Sequence, residues 1–251
     1  SGKTFRSLER LKLARCGVYL GPLRLLALEV YEQMKKYEVP CTMRTGQECI
    51  EEDDSRVTAS TVEMADFDEH YDIAVIDEAQ MVTDPDRGHS WTKAILGIRA
   101  SEIHICMSPA AEQAMIHLIE LCGDDYEIER YVRKTPLLCE ERSFAFPEDV
   151  RPGDALIVFS KKSVLDVAGR LEEKKINTSV IYGSLPPEIR RRQMHLFNSG
   201  ETNVVVATDA IGMGLNLPVR RIVFLQAEKY DGVSRRPLRI PEIKQIAGRA
   251  G

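Results

Sequence analysis

Short runs of β-favouring apolar residues alternate along the chain with longer segments in which apolar residues recur at helical spacing. This alternation is typical of βαβ units, in which parallel strands form a sheet whose faces are covered by helices. In the first half, the pattern predicts strands at Cys16–Leu20, Arg56–Ala59, Ile73–Ile76, Ile103–Met107 and Tyr126–Tyr131. It predicts helices at Leu23–Tyr37 and Ala110–Leu121, with Gly123 as the stop after the second.

The same alternation resumes after a proline-containing segment. Residues 134–154 include Pro136, Pro147 and Pro152 and show little periodicity, which is typical of a connection between domains. Beyond it, the pattern predicts strands at Ala155–Phe159, Thr178–Ile181, Asn203–Ala207 and Arg221–Leu225. It predicts helices at Ser163–Lys174, at Pro187–Phe197 and from Pro241 onward, and an exposed polar loop at Glu228–Arg239.

Length and composition fit two domains of ordinary size. The chain has 251 residues, of which 43% are hydrophobic and 29% charged, a balance typical of globular proteins. We therefore predict an α/β chain with two tandem domains, each a mainly parallel sheet flanked by helices. The first would span residues 1–138 and the second 155–251, joined by a linker at 139–154. Apolar runs fall far short of the ~20 residues of a membrane span, so we expect no membrane partner.

Charge is divided unevenly between the two halves. The net charge of −5 argues against a nucleic-acid binder when the chain is taken as a whole. Residues 151–251, however, carry 17 Lys and Arg against 10 Asp and Glu, whereas the first 150 carry 17 against 29. A basic second half permits a local phosphate-binding surface. The six cysteines form no CxxC pair, which is typical of reduced thiols in an intracellular protein and predicts no zinc site.

The first four residues carry a candidate phosphate-binding motif. Ser1-Gly2-Lys3-Thr4 matches the end of the P-loop, whose backbone amides cradle phosphates. In that motif the lysine reaches the β- and γ-phosphates and the threonine holds Mg²⁺. A match of only four residues occurs by chance in many proteins, so a second motif is needed to support a nucleotide site.

A pair of carboxylates supplies that second element. Asp77 and Glu78 follow the apolar strand predicted at Ile73–Ile76, at the edge where α/β sheets bind ligands. Asp77 can hold Mg²⁺, and Glu78 can orient and deprotonate the attacking water. The alternative is a strand that runs into an acidic helix start. Lys3 in the same predicted domain favours the ATP site.

Two stretches of the second half resemble helicase motifs. Ala207–Gly214 resembles motif V, and Gln245–Gly251 resembles motif VI, QxxGRxG. Longer specific matches are Arg151–Asp154 running into Ile157–Lys161, then Tyr182–Pro187, then Ala207–Pro218. Over its full length the chain resembles a DExH-type superfamily-two RNA helicase, and it is most similar to the RNA helicases of the mitochondrial degradosome and their bacterial relatives.

The resemblance implies two RecA-like domains that face each other with ATP in the cleft. Hydrolysis of Mg²⁺-ATP would drive translocation on RNA or its unwinding. Nucleotide-binding residues would be Gly2, Lys3, Thr4, Asp77 and Gly212, of which Thr4 and Asp77 hold Mg²⁺. Catalytic residues would be Glu78, Gln245 and Arg249. Gly212 would approach the nucleotide where a side chain would block the backbone.

The resemblance also implies a set of strand-binding positions. These are Pro22, Arg24, Thr45, Gly46, Thr61, Ser160 and Thr208. Small hydroxyls, backbone amides and one arginine suit contacts with phosphate and sugar, which position a strand without reading its bases. The alternative for each is a turn or cap residue. Ser108 occupies the motif III position, which in such helicases couples the ATP site to strand movement.

The substrate and the compartment rest on the resemblance alone. It favours single-stranded or partly duplex RNA, a role in RNA turnover and an exoribonuclease partner, in bacterial cytoplasm or the mitochondrial matrix. A DNA helicase or translocase with the same motor is one alternative, and a catalytically weak nucleic-acid-binding scaffold is another. The Asp77-Glu78 pair argues against the scaffold, because a binding module does not need a water-activating carboxylate.

The chain begins and ends within the motifs that close the ATP site. Ser1 follows the upstream glycine of the P-loop, and Gly251 precedes the position where this family carries a second motif VI arginine. Arginine fingers contribute on the order of 10³ to 10⁵ in rate in related phosphoryl-transfer enzymes. We therefore expect these 251 residues alone to fold as two α/β domains but to hydrolyse ATP weakly.

Overall fold

The computed structural model describes residues 2–132, 136–212 and 217–251. The chain divides into two compact units, Ser1–Arg133 and Lys134–Gly251. The helices and strands of the first unit are α1 (Gly2–Leu11), β1 (Gly17–Gly21), α2 (Arg24–Lys36), β2 (Cys41–Arg44), β3 (Cys49–Ile50), β4 (Val57–Thr61), β5 (His70–Ile76), α3 (Gly88–Gly97), β6 (Arg99–Ile105) and α4 (Glu112–Cys122). Those of the second unit are β7 (Asp154–Ile157), α5 (Lys161–Glu173), β8 (Thr178–Ile181), α6 (Pro187–Asn198), β9 (Val204–Ala207), β10 (Arg221–Phe224), β11 (Glu228–Tyr230), β12 (Arg235–Pro237) and α7 (Ile240–Ala247).

The sheet of the first unit has, among the described residues, the strand order β3-β2-β4-β1-β5-β6. All neighbouring strands pair in parallel except β3, which is antiparallel to β2. Tyr19 packs with α1 and α2 on one face, whereas Val18 and Leu20 pack with α3 and α4 on the other. Burial on both faces explains why β1 is apolar without interruption.

The second unit contains a smaller parallel sheet in the order β10-β7-β9-β8. Its core includes Leu156 and Val206 from the strands and Val164 and Leu171 from α5. In both units the parallel strands end at a common edge, where the loops that follow them meet. Asp77 and Glu78, which the sequence pattern places at such an edge, directly follow β5 in the structure.

The predicted fold class is confirmed: each unit is an α/β structure with a mainly parallel sheet flanked by helices. The strand predicted at Tyr126–Tyr131 is wrong, because these residues form no backbone ladder. The segment is held by side chains instead, with Arg6 bonded to Glu129 and Arg130 paired with Glu112. Alternating polar and apolar residues were read as a strand, but a strand also requires a neighbour for its backbone.

The exposed loop predicted at Glu228–Arg239 is also corrected, since it contains the antiparallel ribbon of β11 and β12. Residues 231–234 form its turn, in which the Asp231 amide donates to the Ser234 carbonyl at 3.1 Å. The Asp231 carboxylate accepts hydrogen bonds from two following amides, and Gly232 has a φ of +102°. Asp-Gly between short runs is a hairpin signal that sequence reasoning passed over.

Elements α1, β2, β3 and α3 were not predicted. In α3, Trp91, Ala94 and Ile95 are buried at helical spacing, so its signal was present in the sequence. The proposed domain limits stay a prediction, although Phe144 and Phe146 of the predicted linker pack on the core of the second unit. Among the helices that the structure describes, none combines the length and apolar character needed to cross a membrane.

Candidate functional site

The first unit brings three predicted site segments to one corner of its sheet. Lys3 and Thr4 lie in the first turn of α1, and Asp77 directly follows β5. The Thr4 hydroxyl donates to Oδ1 of Asp77 at 3.4 Å. Lys3 Nζ donates to the carbonyl oxygen of Met107, in the loop after β6, at 2.8 Å. The predicted phosphate-binding and acidic motifs therefore lie beside each other, and the backbone of Gly2 opens the same helix.

Asp77 is held from several directions. Its carboxylate is buried and accepts hydrogen bonds from the Tyr19 hydroxyl on Oδ2 at 3.1 Å and from the Glu78 amide on Oδ1 at 2.9 Å. The Trp91 indole donates to the Asp77 carbonyl at 3.1 Å, and the Asp77 amide donates to Leu20 at 2.8 Å. Both the position of the backbone and the plane of the carboxylate are thus fixed.

The electrostatics of this corner favour a bound cation. Burial raises the pKa of Asp77, and the neighbouring Glu78 raises it further. Burial also raises the pKa of Cys106 to about 11 and holds the pKa of Tyr19 well above 10, so both stay neutral at pH 7. The hydrogen-bond donors to Asp77 are neutral, and although Lys3 lowers the pKa of its carboxyl, burial and Glu78 outweigh that effect. A negative charge on Asp77 is therefore costly in this buried site unless a further positive charge approaches.

Oxygen ligands suited to Mg²⁺ are present at this corner. The described residues contain no cluster of three or more His, Cys, Asp or Glu side chains that could hold a metal ion. Mg²⁺ does not require such a cluster, because it usually binds one or two carboxylates together with substrate phosphates and water. Thr4 and Asp77 supply one hydroxyl and one carboxylate, and the donor set fits that ion.

Glu78 adopts a left-handed backbone conformation, with φ of +50°. This conformation is unfavourable for a residue with a side chain, by roughly 1–2 kcal/mol. It is stabilised on both sides, because Trp91 holds the Asp77 carbonyl and the Ala79 amide donates to Cys106 at 2.9 Å. The side chain is thereby turned out of the line of the strand.

Gln80 is a site residue that sequence reasoning missed. Its side-chain amide donates to the Glu78 carboxylate, and its oxygen accepts from the Ser108 amide at 3.0 Å. Gln80 therefore joins the candidate water-activating carboxylate to the predicted motif III segment. Its position in the sequence, two residues after Glu78, could have identified it as part of the acidic motif.

Four predicted strand-binding residues of the first unit line one groove of about 330 Å³. Arg24 begins α2, Thr45 and Gly46 lie in the turn after β2, and Thr61 ends β4. Pro22 lies just beyond β1, and its carbonyl accepts a hydrogen bond from Arg87. The sheet topology thus gathers residues from three separate sequence motifs.

Two of these residues also have local structural roles. Thr45 closes a turn, since its hydroxyl donates to the Glu48 carbonyl at 3.0 Å and accepts from the Glu48 amide at 3.2 Å. The Arg24 guanidinium is bound by Gln47 at 3.1 Å and forms an ion pair with Glu48. A strand phosphate that binds Arg24 must therefore compete with a carboxylate of the protein.

The second unit places Ser160 and Thr208 just beyond the ends of β7 and β9. The Ser160 hydroxyl caps α5 by accepting from the Ser163 amide at 3.0 Å, so the cap role raised as an alternative is present. Thr208 is buried, and its hydroxyl accepts from the Ala210 amide at 3.3 Å. Either hydroxyl can still donate to a phosphate, because accepting an amide hydrogen bond uses a lone pair of the oxygen and not its O–H.

Arg249 and Gly212 lie together in the second unit. Arg249 donates to the Gly212 carbonyl from Nε at 3.2 Å and from Nη2 at 2.6 Å. A Cβ on Gly212 would lie 3.3 Å from Ile246, so the glycine lets α7 approach closely. Gln245 is exposed on α7. Met213 and Gly214, the end of the stretch that resembles motif V, lie outside the described residues.

A charged network that sequence reasoning missed joins the ribbon to α7. Lys229 of β11 pairs with Asp209 at 3.0 Å and with Glu242 at 2.8 Å. Arg236 of β12 forms a bidentate pair with the same Glu242, at 2.8 and 2.9 Å. Arg236 first, and Lys229 after it, holds the pKa of Glu242 well below its ordinary value. The network fixes the ribbon against the segments that resemble motifs V and VI.

Two family models match this chain. The model described as the DEXQ-box helicase domain of Suv3 matches residues 1–131, and the model of the helicase conserved C-terminal domain matches residues 134–251. The four letters of the first description agree with Asp77, Glu78, Ala79 and Gln80.

The whole chain also aligns with curated relatives. It is 45% identical to the mitochondrial ATP-dependent RNA helicase SUV3 of Oryza sativa subsp. japonica, 42% to that of Saccharomyces cerevisiae and 40% to SUPV3L1 of Homo sapiens. Each alignment covers 100% of this chain but only 44%, 35% and 33% of the respective relative. The chain therefore spans less than half the length of these relatives.

Solved structures agree on the fold. The structure of S. cerevisiae Dbp5 bound to RNA and ADP BeF3 matches with a TM-score of 0.67 at 14% identity, over 100% of this chain and 73% of that one. At this identity the match shows the tandem RecA-like fold alone. Together with the match to the Suv3 model over more than half of the residues, it leads to one conclusion: the chain belongs to the Suv3 family of DEXQ-box helicases.

Proposed function

We propose that the chain is the ATP-driven motor of an RNA helicase, which couples hydrolysis of Mg²⁺-ATP to movement along RNA or to its unwinding. The observation that carries this proposal is the 3.4 Å contact between Thr4 and Asp77, which joins a phosphate-binding helix start to the acidic motif. The names of the relatives, which are ATP-dependent RNA helicases, support it.

The nucleotide phosphates would bind at the amino end of α1. Backbone amides and the positive end of a helix dipole favour anions there, and Lys3 adds a full charge. Thr4 and Asp77 would hold Mg²⁺, which neutralises phosphate charge when bound. No direct hydrogen bond or ion pair between Lys3 and Asp77 is among the described contacts, and Lys3 instead donates to Met107.

Glu78 would act as the general base for the attacking water. A carboxylate that accepts a proton in the transition state contributes about 10² to 10⁴ in rate. The Gln80 side-chain amide group donates one hydrogen bond to this carboxylate, and its Oε1 accepts one from the Ser108 backbone amide. A shift of the Ser108 loop would therefore move Glu78, and this supports a coupling between strand movement and hydrolysis.

The strand would bind the groove of the first unit through its phosphates and sugars. Backbone amides near Gly46, the hydroxyls of Thr45 and Thr61, and Arg24 support contacts that carry no base preference. In the second unit, Ser160 and Thr208 are proposed to do the same. Gln245 and Arg249 are proposed to assist hydrolysis, and Gly212 is proposed to let the backbone approach the nucleotide. Arg249→Ala should lower turnover without loss of fold.

For the cellular setting, we propose the mitochondrial matrix. The names of the relatives specify mitochondria, which supports the mitochondrial matrix over a bacterial cytoplasm for this chain. The exoribonuclease partner stays a prediction, and co-purification of a nuclease with the intact protein would test it. Single-stranded or partly duplex RNA is the proposed substrate.

The direct test is ATP turnover by the intact protein with and without single-stranded RNA. We expect RNA to raise turnover severalfold or more and DNA of the same sequence to raise it less. Equal stimulation by both would favour the DNA-capable alternative. Turnover near zero under all conditions, with tight strand binding, would favour the scaffold and contradict the proposal.

Strand binding itself should depend on salt but not on base composition. We expect the logarithm of the affinity for single-stranded RNA to fall linearly with the logarithm of salt, with a slope of roughly −0.7 per neutralised phosphate. Arg24→Gln should reduce the slope by about that amount, because it removes one cation. A strong preference for one short sequence, measured by fluorescence anisotropy, would contradict backbone recognition.

A further inference from the structure

Tyr19 has no role in the chemistry described so far, yet it directs its only polar atom at the active site. Its side chain is fully buried in the middle of β1, and its hydroxyl donates to Oδ2 of Asp77 at 3.1 Å. A tyrosine buried on a sheet face needs a hydrogen-bond partner, and here the partner is the proposed metal carboxylate.

The hydrogen bonds to Asp77 are divided between its two oxygens. Oδ1 receives the Thr4 hydroxyl and the Glu78 amide, whereas Oδ2 receives the Tyr19 hydroxyl. A carboxylate held on one oxygen alone could rotate about its Cβ–Cγ bond. With both oxygens bound, rotation breaks at least one contact, so Tyr19 helps to fix the plane of the carboxylate beside Thr4.

We propose that Tyr19 is a positioning residue for Mg²⁺: its hydroxyl fixes Oδ2 of Asp77 and so presents Oδ1, beside Thr4, to the metal. This inference rests on the proposed function and deepens it. Outer hydrogen-bond partners of metal ligands commonly contribute 10–100-fold to metal affinity or activity, because they fix the ligand in its binding orientation.

The neighbouring Gly21 provides a second, independent observation. A Cβ built on Gly21 would lie 2.8 Å from Cε1 of Tyr19 and 2.9 Å from its hydroxyl. Real Cβ atoms do not approach other atoms so closely, so any larger residue at 21 must displace the phenol end of the ring. The space that admits the Tyr19 hydroxyl to Asp77 therefore depends on glycine at this position.

The test compares Tyr19→Phe with wild type and with Tyr71→Phe in the intact protein. Tyr71 is also buried in this sheet, but its hydroxyl faces the Asp66 carbonyl and not Asp77, so its loss controls for a missing buried hydroxyl. Binding of a fluorescent ADP analogue is titrated with Mg²⁺ by anisotropy, and each affinity is also measured in EDTA. Melting temperatures confirm that each variant is folded.

We expect Tyr19→Phe to raise the Mg²⁺ concentration at half-effect by about 10-fold, the lower end of effects for such partners. Affinity in EDTA should stay within about twofold, since phosphate contacts are untouched, and Tyr71→Phe should match wild type in both. In steady state, the apparent KM for Mg²⁺ should rise while kcat at saturating Mg²⁺ is retained. A folded Tyr19→Phe protein with the wild-type Mg²⁺ midpoint would overturn the inference.

Gly21→Ala keeps every hydrogen-bonding group and should also raise the Mg²⁺ midpoint, by displacing the Tyr19 hydroxyl. It serves as the decisive variant where Tyr19→Phe does not fold, and a wild-type midpoint in folded Gly21→Ala would equally contradict the inference. The outcomes separate the two proposals. Wild type whose ADP binding does not respond to Mg²⁺ refutes the proposed metal site itself, whereas a Mg²⁺-responsive wild type with unaltered variants refutes only the role of Tyr19.

Discussion

Asp77 in the first unit and Glu242 in the second are both held by several hydrogen bonds, but their surroundings differ in charge. Asp77 is bonded by a phenol, a hydroxyl and a backbone amide, all neutral, and burial raises its pKa. Glu242 is bonded by Arg236 and Lys229, and Arg236 above all lowers its pKa.

The difference separates a carboxylate that is available to a ligand from one that stabilises the fold. The negative charge of Glu242 is already neutralised by two cations of the protein. Asp77 is oriented equally well, but its hydrogen-bond donors bring no positive charge. A divalent cation can supply that charge, and the structure around Asp77 then needs little rearrangement to accept it.

The largest effect should follow from replacing Glu78, the neighbour of Asp77, by glutamine. Glu78→Gln retains the shape and the hydrogen bond from Gln80 but removes the base, so turnover should fall by about 10² or more while ATP binding stays near wild type. Phosphate release and nucleotide binding are measured separately. Glu120→Gln, on the exposed face of α4, is the control, and near-normal turnover in Glu78→Gln would remove Glu78 from its proposed role.

The same substitution at Glu242 should lower the free energy of unfolding. Its side chain is 23% exposed, and Glu242→Gln leaves Arg236 and Lys229 facing an uncharged amide. We expect a loss of about 1.5–3 kcal/mol, the range for hydrogen bonds to charged groups, measured by urea unfolding. Glu172→Gln, at an exposed position of α5, should cost much less. Equal costs would show that the ribbon network does not stabilise the unit.

Acid should remove the contribution of Glu242. Because its folded pKa lies below the ordinary value of 4.5, the stabilisation is complete above that value and is lost as the pH falls toward the folded pKa. The melting-temperature difference between wild type and Glu242→Gln should therefore be constant from pH 7 to about 5 and shrink below about 4.5. A difference that stays constant in acid would contradict the assignment.

The smallest effect has the opposite sign. Asp77→Asn removes a buried charge for which burial and the neighbouring Glu78 outweigh the favourable effect of Lys3, so it should stabilise the ligand-free protein. We expect the melting temperature to rise by about 2–4 °C, the shift that about 1 kcal/mol produces in a chain of this size. A fall in melting temperature without ligand would show that groups of the protein already stabilise the negative charge of Asp77.

The sequence was sufficient for residues that directly follow parallel strands. Asp77, Ser160 and Thr208 all lie beyond strand ends, because alternation of strands and helices forces those ends to one edge. The groove could not be anticipated in the same way, because Thr45 follows β2, which the pattern did not predict, and Thr61 is itself the last residue of β4. The resemblance supplied what each residue would bind.

The contacts of Tyr19 and Glu242 could not be predicted in this way. The Tyr19 bond to Asp77 depends on the register of β1 with β5, in which Tyr19 lies opposite Val75, and on a side-chain rotamer. The contacts of Glu242 with Arg236 and Lys229 depend on how the ribbon of β11 and β12 folds back on α7. Local patterns do not specify cross-strand register or the return of a hairpin, so neither could be read from spacing. Gln80 was visible, but its two partners were not.

The melting temperature of wild type and Asp77→Asn, each with and without saturating Mg²⁺-ADP, tests most directly whether Asp77 is reserved for a bound cation. A ligand at about 100 times its Kd stabilises a protein by about 2.7 kcal/mol. We expect a crossing, in which Asp77→Asn melts higher without ligand and wild type melts higher with Mg²⁺-ADP. It is contradicted if Mg²⁺-ADP stabilises Asp77→Asn as much as wild type, because Asp77 would then contribute nothing to the metal-nucleotide site.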